Sequence, residues 1–313
     1  MAKETIIAGL DIGTSCIRAV VAKIRPDQSK PQIIGLSEVP SFGLRRGVIF
    51  DIEEVVKSIS QAIKEAERRS SLPIERVFVS IGGGHITARS SKGVVAVSRA
   101  DGHVSEEDVD RAINAASAIS IPQNREIIHV IPRCFSLDEQ RGVRDPVGMN
   151  GVRLEVDTLI IEGFTPFIKN LTKCVSEAKL EIEDIVLASL AGARAVLNKR
   201  QKELGVLALD LGGGTADLIV FEEGDVIHTH VLPIGSSHIT SDIAIGLRTT
   251  IDLAEKVKLE YGSALVSEIS KKENIDLAKF DLGETGLVTR LEVAEIIEAR
   301  LCEILELANK ELK

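Results

Sequence analysis

The segment Leu10-Asp11-Ile12-Gly13-Thr14-Ser15 returns in the second half of the chain as Leu209-Asp210-Leu211-Gly212-Gly213-Gly214-Thr215. Each copy follows a short apolar run and precedes another run rich in β-branched residues, which predicts a strand, a tight turn and a second strand. Glycine at the bend lets a ligand approach the backbone, and successive amide groups in such a turn form a concave anion site. Both segments are therefore interpreted as phosphate-binding turns.

Asp11 and Asp210 stand just before the two bends. They offer carboxylates for a hydrated Mg²⁺, which favours one or two carboxylates together with phosphate oxygens. Two ordinary Asp-Gly hairpins would give the same short pattern, and that alternative stays open for either turn by itself. The repetition favours a duplicated architecture. The pair thus predicts a nucleotide and its metal ion held in a cleft between two related halves.

The composition is that of a folded protein, with 44% hydrophobic and 27% charged residues among 313. A net charge of −9 argues against a nucleic-acid surface, which needs clustered Lys and Arg. The 4 cysteines form no C-x-x-C pair, which predicts free thiols in a reducing cytoplasm with neither a zinc site nor disulfides. The sequence shows no secretory leader and no apolar stretch of membrane-spanning length, so a cytoplasmic location is expected.

A predicted strand over residues 77–81 ends at Gly82-Gly83-Gly84. This triple glycine lacks the Gly-Lys-Ser/Thr that completes a P-loop, so we interpret it as the exit into an inserted module over about 85–160. The module is expected to contain strands and one helix, which begins at a capping box in Ser105-Glu106-Glu107-Asp108. After the module, a helix over about 167–179, a strand over 185–187 and a helix of small residues over 189–198 are expected.

The part of the chain after the second turn is expected to be mainly helical. Residues 235–237 are interpreted as a turn, and they are followed by predicted helices over 241–247, 251–261 and 291–312. A Thr289-x-x-Glu292 capping box is expected to begin the last helix. Its apolar stripe, which ends at Leu305, is expected to be buried.

With these elements in place, the two turns resemble the phosphate motifs of the actin, Hsp70 and sugar-kinase superfamily. Within it the chain is similar to the FtsA family of bacterial cell-division proteins. The segment between the halves of the first domain is the most specific, because it is similar to the subdomain that this family carries in place of actin's usual insertion. The segments that carry the closer resemblance are Arg46-Gly47-Val48-Ile49, His129-Val130-Ile131-Pro132, Asp145-Pro146-Val147-Gly148-Met149, Arg153-Leu154-Glu155-Val156 and His238-Ile239-Thr240-Ser241-Asp242-Ile243-Ala244.

The resemblance implies an α/β, actin-like (ribonuclease H-like) two-lobed fold with a small α+β inserted subdomain. Lobe I would comprise residues 1–84 and 163–202, the inserted subdomain residues 85–162, and lobe II residues 203–313. The resemblance also implies a further C-terminal part, with a glycine-rich adenosine loop and a membrane-binding amphipathic helix. The chain is therefore expected to be C-terminally incomplete.

The resemblance implies ATP and Mg²⁺ as ligands. Mg²⁺ would be held through water by Asp11 and Asp210. Glu255 and Lys258 match the Glu-x-x-Lys positions that reach the ribose and adenine in this superfamily, although their spacing equally fits a solvated salt bridge on a helix. The residues implied around the phosphates are Asp11, Gly13, Thr14, Ser15, Asp210, Gly212, Gly213, Gly214, Thr215, Gly235 and Ser236.

Two departures from the family pattern concern the phosphate site, the first by a missing charge contact and the second by a missing group for hydrolysis. Cys16 stands where relatives often have Lys beside the phosphate turn, and Ala188 stands where many carry a Glu that orients the attacking water. Phosphoryl transfer without such a group loses a main contribution of the protein. The chain is expected to be at most a weak ATPase, and no residue is assigned a catalytic role.

The implied function is an ATP-dependent scaffold that polymerises and links the division protein FtsZ to the inner face of the cell membrane at the division site. FtsZ, further copies of the chain and other division proteins are the implied partners. Membrane contact would come only through the C-terminal helix that this chain lacks, and no nucleic-acid partner is expected. Two alternatives stay open. One is an actin-like ATPase of type IV pilus assembly, and the other is a small-molecule kinase that uses Asp101, Asp138 or Asp145 as a base.

Overall fold

The computed structural model of the chain describes residues 4–27, 30–270, 272–280 and 286–312. By the density of its internal contacts the chain separates into two compact units. The first contains Met1–Asp210 and Asp217–Val231, and the second contains Leu211–Ala216 and Leu232–Lys313. The two glycine-rich turns therefore belong to different units, while Asp11 and Asp210 both belong to the first.

The first unit opens with three antiparallel strands and a helix that covers them. β1 pairs antiparallel with β2 and parallel with β6, and β2 pairs antiparallel with β3. The side chain of Asp51 caps α1 by accepting a hydrogen bond from the amide of Glu54. Gly35 of β3 lets the helix approach the sheet, because a Cβ atom there would lie 2.9 Å from Cβ of Ser70. In chain order the elements are β1 (Thr5–Ile12), β2 (Cys16–Ile24), β3 (Gln32–Pro40), β4 (Leu44–Arg45), β5 (Val48–Ile49), α1 (Ile52–Ser70) and β6 (Arg76–Ile81).

A four-stranded antiparallel sheet with one helix follows β6, and we call it the inserted sheet. Its elements are β7 (Thr87–Ala96), α2 (Glu106–Ser117), β8 (Arg125–Leu137), β9 (Gln140–Val143) and β10 (Arg153–Phe164). The strand order is β7-β10-β8-β9, and α2 packs on one face. The predicted capping box is confirmed, because Ser105 and Asp108 exchange side-chain and backbone hydrogen bonds at the start of α2. The helix crosses the sheet at Gly93, where a Cβ atom would collide with the carbonyl oxygen of Ala112.

The chain then returns to the first sheet and completes it. The elements are α3 (Thr165–Glu177), β11 (Glu181–Leu187), α4 (Ala188–Val196) and α5 (Lys199–Leu204). β11 pairs parallel with β6, which gives a five-stranded sheet in the order β11-β6-β1-β2-β3. The helix predicted over 189–198 is α4, which ends two residues earlier, at Val196. Asn198 is instead the N-cap of α5, a helix that was not predicted, and its side chain accepts a hydrogen bond from the amide of Gln201.

Three strands form a further sheet, and Arg133 of β8 and Arg144, which follows β9, donate hydrogen bonds to the backbone of its last hairpin. The strands are β12 (Val206–Leu211), β13 (Ala216–Glu222) and β14 (Asp225–Leu232), in the order β12-β13-β14. Arg133 of β8 donates hydrogen bonds to the carbonyl oxygens of Val226 at 3.0 Å and Ile227 at 2.5 Å. Arg144 donates to both carboxylate oxygens of Glu203 on α5, at 3.2 and 3.1 Å. The inserted sheet is thus fixed to the rest of the first unit by hydrogen bonds as well as by chain connection.

The second unit is mainly helical. Its elements are α6 (Ser236–Leu247), α7 (Ile251–Tyr261), β15 (Asn274–Asp276), β16 (Leu287–Thr289) and α8 (Arg290–Glu311). α7 has the predicted bounds, and the predicted capping box of Thr289 and Glu292 is confirmed at the start of α8. Arg300 of α8 holds Asp242 of α6 with two hydrogen bonds of 2.6 and 2.9 Å. β15 pairs antiparallel with β16, and Ile275 of β15 is buried in the same apolar core as residues of α6 and α8.

Two predictions for the second unit are wrong. Residues 235–237 do not form a separate turn, because α6 begins at Ser236 with Gly235 as its N-cap, five residues before the predicted start. Gly235 has no side chain to cap the helix, so the sequence carries no capping signal at that point. Leu305 is not buried but 57% exposed, whereas Val293, Ile297 and Ile304 of the same helix are buried.

Among residues 4–27, 30–270, 272–280 and 286–312, no helix combines the length and the apolar composition needed to cross a bilayer.

Candidate functional site

The first turn is a tight hairpin between β1 and β2. In the register of the two strands Asp11 lies opposite Arg18 and Ile12 opposite Ile17. The amide of Gly13 donates a hydrogen bond to the carbonyl oxygen of Cys16 at 3.1 Å. A Cβ atom on Gly13 would lie 2.8 Å from that oxygen, so a side chain at this position would force the turn open.

The carboxylate of Asp11 is held from two sides. The hydroxyl of Ser80 on β6 donates a hydrogen bond to Oδ1 at 2.5 Å, and the guanidinium of Arg18 lies 3.7 Å from Oδ2. Arg18 also donates a hydrogen bond to Glu38 at 2.8 Å, which fixes its position. Sequence reasoning missed both contacts of Asp11. The hairpin register predicts the contact with Arg18, whereas no spacing in the sequence points to Ser80.

Cys16 and Arg18 determine whether a positively charged side chain lies beside the first turn. Burial raises the pKa of the Cys16 thiol, so this side chain carries no charge at neutral pH. Arg18 nevertheless brings a guanidinium to the edge of the turn, two residues after Cys16. The first turn therefore has a cation next to its carboxylate, supplied from the opposite strand.

Thr14 and Ser15 join the first turn to other segments. The hydroxyl oxygen of Thr14 accepts a hydrogen bond from the amide of Gly47 at 3.0 Å, and the carbonyl oxygen of Ser15 accepts one from the amide of Ser41 at 3.0 Å. A Cβ atom on Gly47 would lie 2.7 Å from Cα of Gly83. The triple glycine after β6 thus lies next to the loop that holds Thr14, a contact that sequence reasoning did not predict.

The second turn, between β12 and β13, repeats the construction of the first within the second unit. A Cβ atom on Gly212 would lie 3.1 Å from the carbonyl oxygen of Thr215. The same relation, from a glycine to the carbonyl of the third residue after it, joins Gly13 and Cys16 in the first turn. Gly214 is buried, and Gly213 and Thr215 are half-buried. The repeat seen in the sequence is therefore a repeat of backbone geometry.

Gly235 and Ser236 lie against the second turn. The amide of Ser236 donates a hydrogen bond to the carbonyl oxygen of Gly212 at 2.8 Å. A Cβ atom on Gly235 would lie 2.6 Å from the carbonyl oxygens of both Gly212 and Gly213, so the N-terminus of α6 approaches as closely as backbone atoms allow. The second turn and the start of α6 are therefore joined by direct backbone contacts.

Asp210, at the end of β12, differs from an ordinary surface carboxylate. Its side chain is exposed to water, yet the protein atoms around it and the negative charge of Asp11 raise the pKa of its carboxyl group. Arg18 acts in the opposite direction. Within the first unit, the two aspartates of the repeated motif therefore interact electrostatically.

Glu255 and Lys258 of α7 are not a freely solvated pair. Nζ of Lys258 lies 2.6 Å from Oε2 of Glu255, and both groups contact the hydroxyl of Thr240 on α6. The Lys258 side chain is only 14% exposed. The two residues and Thr240 form an ordered cluster within the second unit, and sequence reasoning missed Thr240.

The three acids available to the kinase alternative have structural roles in loops of the inserted sheet. Hydrogen bonds from Arg99 and from the amide of His103 lower the pKa of Asp101 to about 2. Asp138 accepts hydrogen bonds from the amides of residues 152 and 153, and Asp145 from the amide of residue 147. A general base needs a pKa near neutrality, so Asp101 does not suit that role.

Two family models match separate parts of the chain. The model described as "SHS2 domain inserted in FTSA" matches residues 83–162, and the model described as "Cell division protein FtsA" matches residues 207–313.

Several curated proteins named "Cell division protein FtsA" are similar to the whole chain. The protein of Bacillus subtilis (strain 168) is 40% identical over 313 residues, which are 100% of this chain and 71% of the relative. The protein of Pseudomonas aeruginosa is 38% identical over 308 residues, 98% of this chain and 73% of the relative. The protein of Escherichia coli (strain K12) is 34% identical over 307 residues, 98% of this chain and 72% of the relative.

Solved structures share the fold at lower identity. The "PilM-PilN type IV pilus biogenesis complex" aligns with a TM-score of 0.58 and 17% identity, covering 82% of this chain and 69% of the matched chain. MreB5 of Spiroplasma citri bound to ADP aligns with a TM-score of 0.51 and 14% identity, covering 98% of this chain and 78% of the other. These likenesses concern the fold alone, so the pilus complex does not favour the pilus alternative over the division proteins. The predicted actin-like fold is confirmed, and the chain belongs to the FtsA family of cell-division proteins.

Proposed function

We propose that the chain binds ATP with Mg²⁺ through its two turns and serves as a nucleotide-dependent scaffold in cell division. The observation that carries this proposal is the equivalent construction of the turns. In both, a glycine stands where a Cβ atom would approach the carbonyl oxygen of the third following residue, at Gly13 and at Gly212. Each turn also has an aspartate two positions before its glycine. A turn whose glycines leave the backbone amide groups uncovered can bind phosphate groups through those amides.

The residues at the two turns fit the chemistry of a magnesium nucleotide. Asp11 and Asp210 are oxygen donors of the kind that Mg²⁺ prefers, and they interact electrostatically in the first unit. A cation bound near both would offset the burial and the repulsion from Asp11 that raise the pKa of Asp210. Thr14, Ser15, Gly213, Gly214 and Thr215 complete the proposed phosphate contacts. Gly235 and Ser236 would contribute through their position against the second turn.

Hydrolysis is proposed to be slow or absent. Ala188, the first residue of α4, offers only a methyl group where a water-orienting acid is expected in the family. Positioning and charge stabilisation remain, but the group that would activate water is not supplied at this position. The nucleotide would then act by favouring one conformation of the protein over another, through different affinities for the two.

The proposed partners follow from membership of the FtsA family. They are FtsZ and further copies of the chain, with other division proteins as additional contacts. The proposed location is the inner face of the cell membrane at the division site. A peptide with the sequence of the C-terminal tail of FtsZ tests the proposed binding of FtsZ directly. Binding of that peptide is expected, with no binding of an equally long pilus-assembly peptide, and the reverse preference would contradict the proposal.

Nucleotide binding is tested by titrating ATP into the chain in a calorimeter, with and without Mg²⁺, and by measuring phosphate release in the same samples. We expect one ATP per chain, an affinity that depends on Mg²⁺, and phosphate release far slower than binding. Absence of heat with Mg·ATP would contradict the nucleotide proposal. Rapid phosphate release would contradict the proposal of a scaffold with slow hydrolysis.

A further inference from the structure

His129 of β8 connects the inserted sheet to the end of β11. Nε2 of its ring accepts a hydrogen bond of 2.9 Å from the amide of Leu187, the last residue of β11. β11 lies at the edge of the five-stranded sheet, and His129 supplies an acceptor from outside that sheet. Leu187 is buried, and a buried amide without an acceptor costs free energy. The contact therefore ties β8 to the five-stranded sheet.

A bulge in β8 lies next to His129. In the register of β8 and β10, His129 lies opposite Ile161 and Ile127 lies opposite Glu162, so Ile128 is an extra residue. Consecutive residues of a regular strand point to opposite faces, and a bulge changes the direction of the side chains beside it. Ile128 packs against the apolar core that contains the five-stranded sheet. The bulge thus allows two consecutive residues of β8 to contact the rest of the first unit.

The ring of His129 can accept this hydrogen bond only in its neutral form, because both ring nitrogens of a protonated imidazole are donors. Burial lowers the pKa of His129. Two charged groups act on the ring as well, the carboxylate of Asp184 on β11, which raises the pKa, and the guanidinium of Arg194 on α4, which lowers it. The ring is therefore neutral at neutral pH, with its proton on Nδ1.

Leu187 lies beside the point where the chain leaves β6 for the inserted sheet. It pairs with Ile81, the last residue of β6, and these two residues are followed by Ala188 and Gly82, respectively. A Cβ atom on Gly82 would lie 3.7 Å from Cβ of Ala188. The amide that His129 holds is therefore one residue away from a contact with the triple glycine.

The triple glycine joins the same point to the inserted sheet through the chain. Gly83 has a φ of +110° and contacts Gly47, whose amide donates the hydrogen bond to Thr14 of the first turn. A Cβ atom on Gly84 would meet no atom of the described residues within 4 Å, so the backbone has room at this position. Glycine also permits large changes of φ and ψ. The inserted sheet thus has two connections to the supports of the first turn, the glycine segment and the hydrogen bond of His129.

We propose that the triple glycine is the hinge of the inserted sheet and that His129 couples the position of this sheet to phosphate groups bound at the first turn. Phosphate held at Thr14 then restrains Gly47 and Gly83, and the hydrogen bond of His129 transmits the restraint to β8. Because coupling between two binding events is reciprocal, a partner that holds the inserted sheet in the same position strengthens phosphate binding. The inference rests on the proposed function, which places phosphate groups at the first turn. His129 is a positioning residue and need not touch the ligand.

The test measures amide hydrogen exchange over residues 125–131 of β8, with and without Mg·ATP, in the unmodified chain, His129→Leu and His129→Gln. Leu removes the acceptor, whereas Gln offers an amide oxygen as acceptor and does not titrate. Ser91→Ala is the matched control, because it removes a hydrogen bond of 2.8 Å to the carbonyl oxygen of Ala116 within the inserted sheet. The affinities of ATP and of inorganic tripolyphosphate are measured by calorimetry with Mg²⁺ on the same proteins.

In the unmodified chain, Mg·ATP should slow the exchange of these β8 amides. In His129→Leu this effect should disappear, and ATP and tripolyphosphate should both bind about fivefold more weakly, which corresponds to the loss of one neutral hydrogen bond. His129→Gln and Ser91→Ala should keep the effect of Mg·ATP and both affinities. An effect of Mg·ATP that persists in His129→Leu would overturn the inference. Its loss in Ser91→Ala would do so as well, because any loosening of the inserted sheet would then suffice.

A pH series keeps the test decisive if His129→Leu does not fold. Protonation removes the acceptor, so in the unmodified chain the effect of Mg·ATP on β8 should fade as the pH falls well below 6.5, whereas in His129→Gln it should persist. His85 titrates in both proteins, so the difference between them reports on His129 alone, and equal pH dependence would overturn the inference. If the unmodified chain binds Mg·ATP without a change in β8, the inference fails alone. If it binds neither ATP nor tripolyphosphate, the proposed function fails with it.

Discussion

The amide of Gly47 donates a hydrogen bond to the hydroxyl oxygen of Thr14 at 3.0 Å, which joins the first turn to the hairpin of β4 and β5. Gly47 has a φ of +74°, and a Cβ atom on it would lie 2.7 Å from Cα of Gly83. Both the backbone conformation and the space at this position therefore require glycine. The geometry of the first turn depends in this way on two glycines that lie far from it in the sequence.

Gly47→Ala is expected to lower the free energy of unfolding by about 3 kcal/mol, which combines left-handed backbone strain with overlap at Gly83. Gly142→Ala is the matched control, because Gly142 has a φ of +71° with no atom within 4 Å of an added Cβ. This control should lose only about 1 kcal/mol. Urea unfolding of both variants measures the difference, and equal losses would show that the contact with Gly83 has no energetic weight.

The burial of His85 predicts that the free energy of unfolding depends on pH. The ring is buried, its Nδ1 accepts a hydrogen bond from the amide of Phe164 at 3.3 Å, and it packs edge-on against Phe167 at 5.0 Å between centroids. Burial, with a smaller effect from the charge of Arg125, lowers the pKa of His85 from 6.5 to about 4. The imidazole therefore stays neutral in the fold while the unfolded chain takes up a proton at higher pH.

The stabilisation from neutral His85 is complete above pH 6.5 and is lost as the pH falls towards 4, because the unfolded state binds the proton first. Unfolding in urea at pH 7.5 and at pH 5.5 should differ by about 1 kcal/mol from this residue. In His85→Asn that part of the difference should disappear. If His85→Asn leaves the pH dependence of the free energy of unfolding unchanged, the assignment of a buried, neutral His85 is wrong.

Arg133 anchors the inserted sheet to β14, and burial lowers the pKa of its guanidinium without bringing it near neutrality. Arg133→Gln leaves two carbonyl oxygens of β14 without their donor, so we expect a loss of about 2 kcal/mol in the free energy of unfolding. Amide hydrogen exchange over residues 223–228 should become faster. Arg141→Gln on β9 is the control, because the Arg141 side chain is exposed and forms no hydrogen bond or ion pair within the described residues. Equal exchange rates in the two variants would contradict the anchoring role.

Features of the fold that depend on side chains close together in the sequence were predictable. The bounds of α7 and the capping boxes at Ser105 and Thr289 follow from side chains within one or two helical turns. The start of α6 was not predictable, because Gly235 caps the helix without a side chain and is held in place by the second turn. Leu305 continues the apolar pattern of α8 but is exposed. The apolar pattern alone does not specify which residues of the helix are covered by other elements.

At the candidate site, the sequence predicted the two turns but not their supports. The glycines and aspartates are visible because the motif is short and repeated. Ser80, Gly47 and Thr240 lie 69, 33 and 15 or more residues from the groups they hold, and no periodicity relates them to those groups. Arg18 could have been found, since a hairpin centred on residues 13–16 must bring it opposite Asp11.

Calorimetry with Asp11→Asn, Asp210→Asn and the double variant tests whether Asp11 and Asp210 serve one magnesium nucleotide. We predict that each single variant weakens Mg·ATP binding about tenfold or more, that the weakening disappears when Mg²⁺ is omitted, and that the second substitution adds less than the first. A single variant that binds Mg·ATP with the affinity of the unmodified chain would contradict the claim.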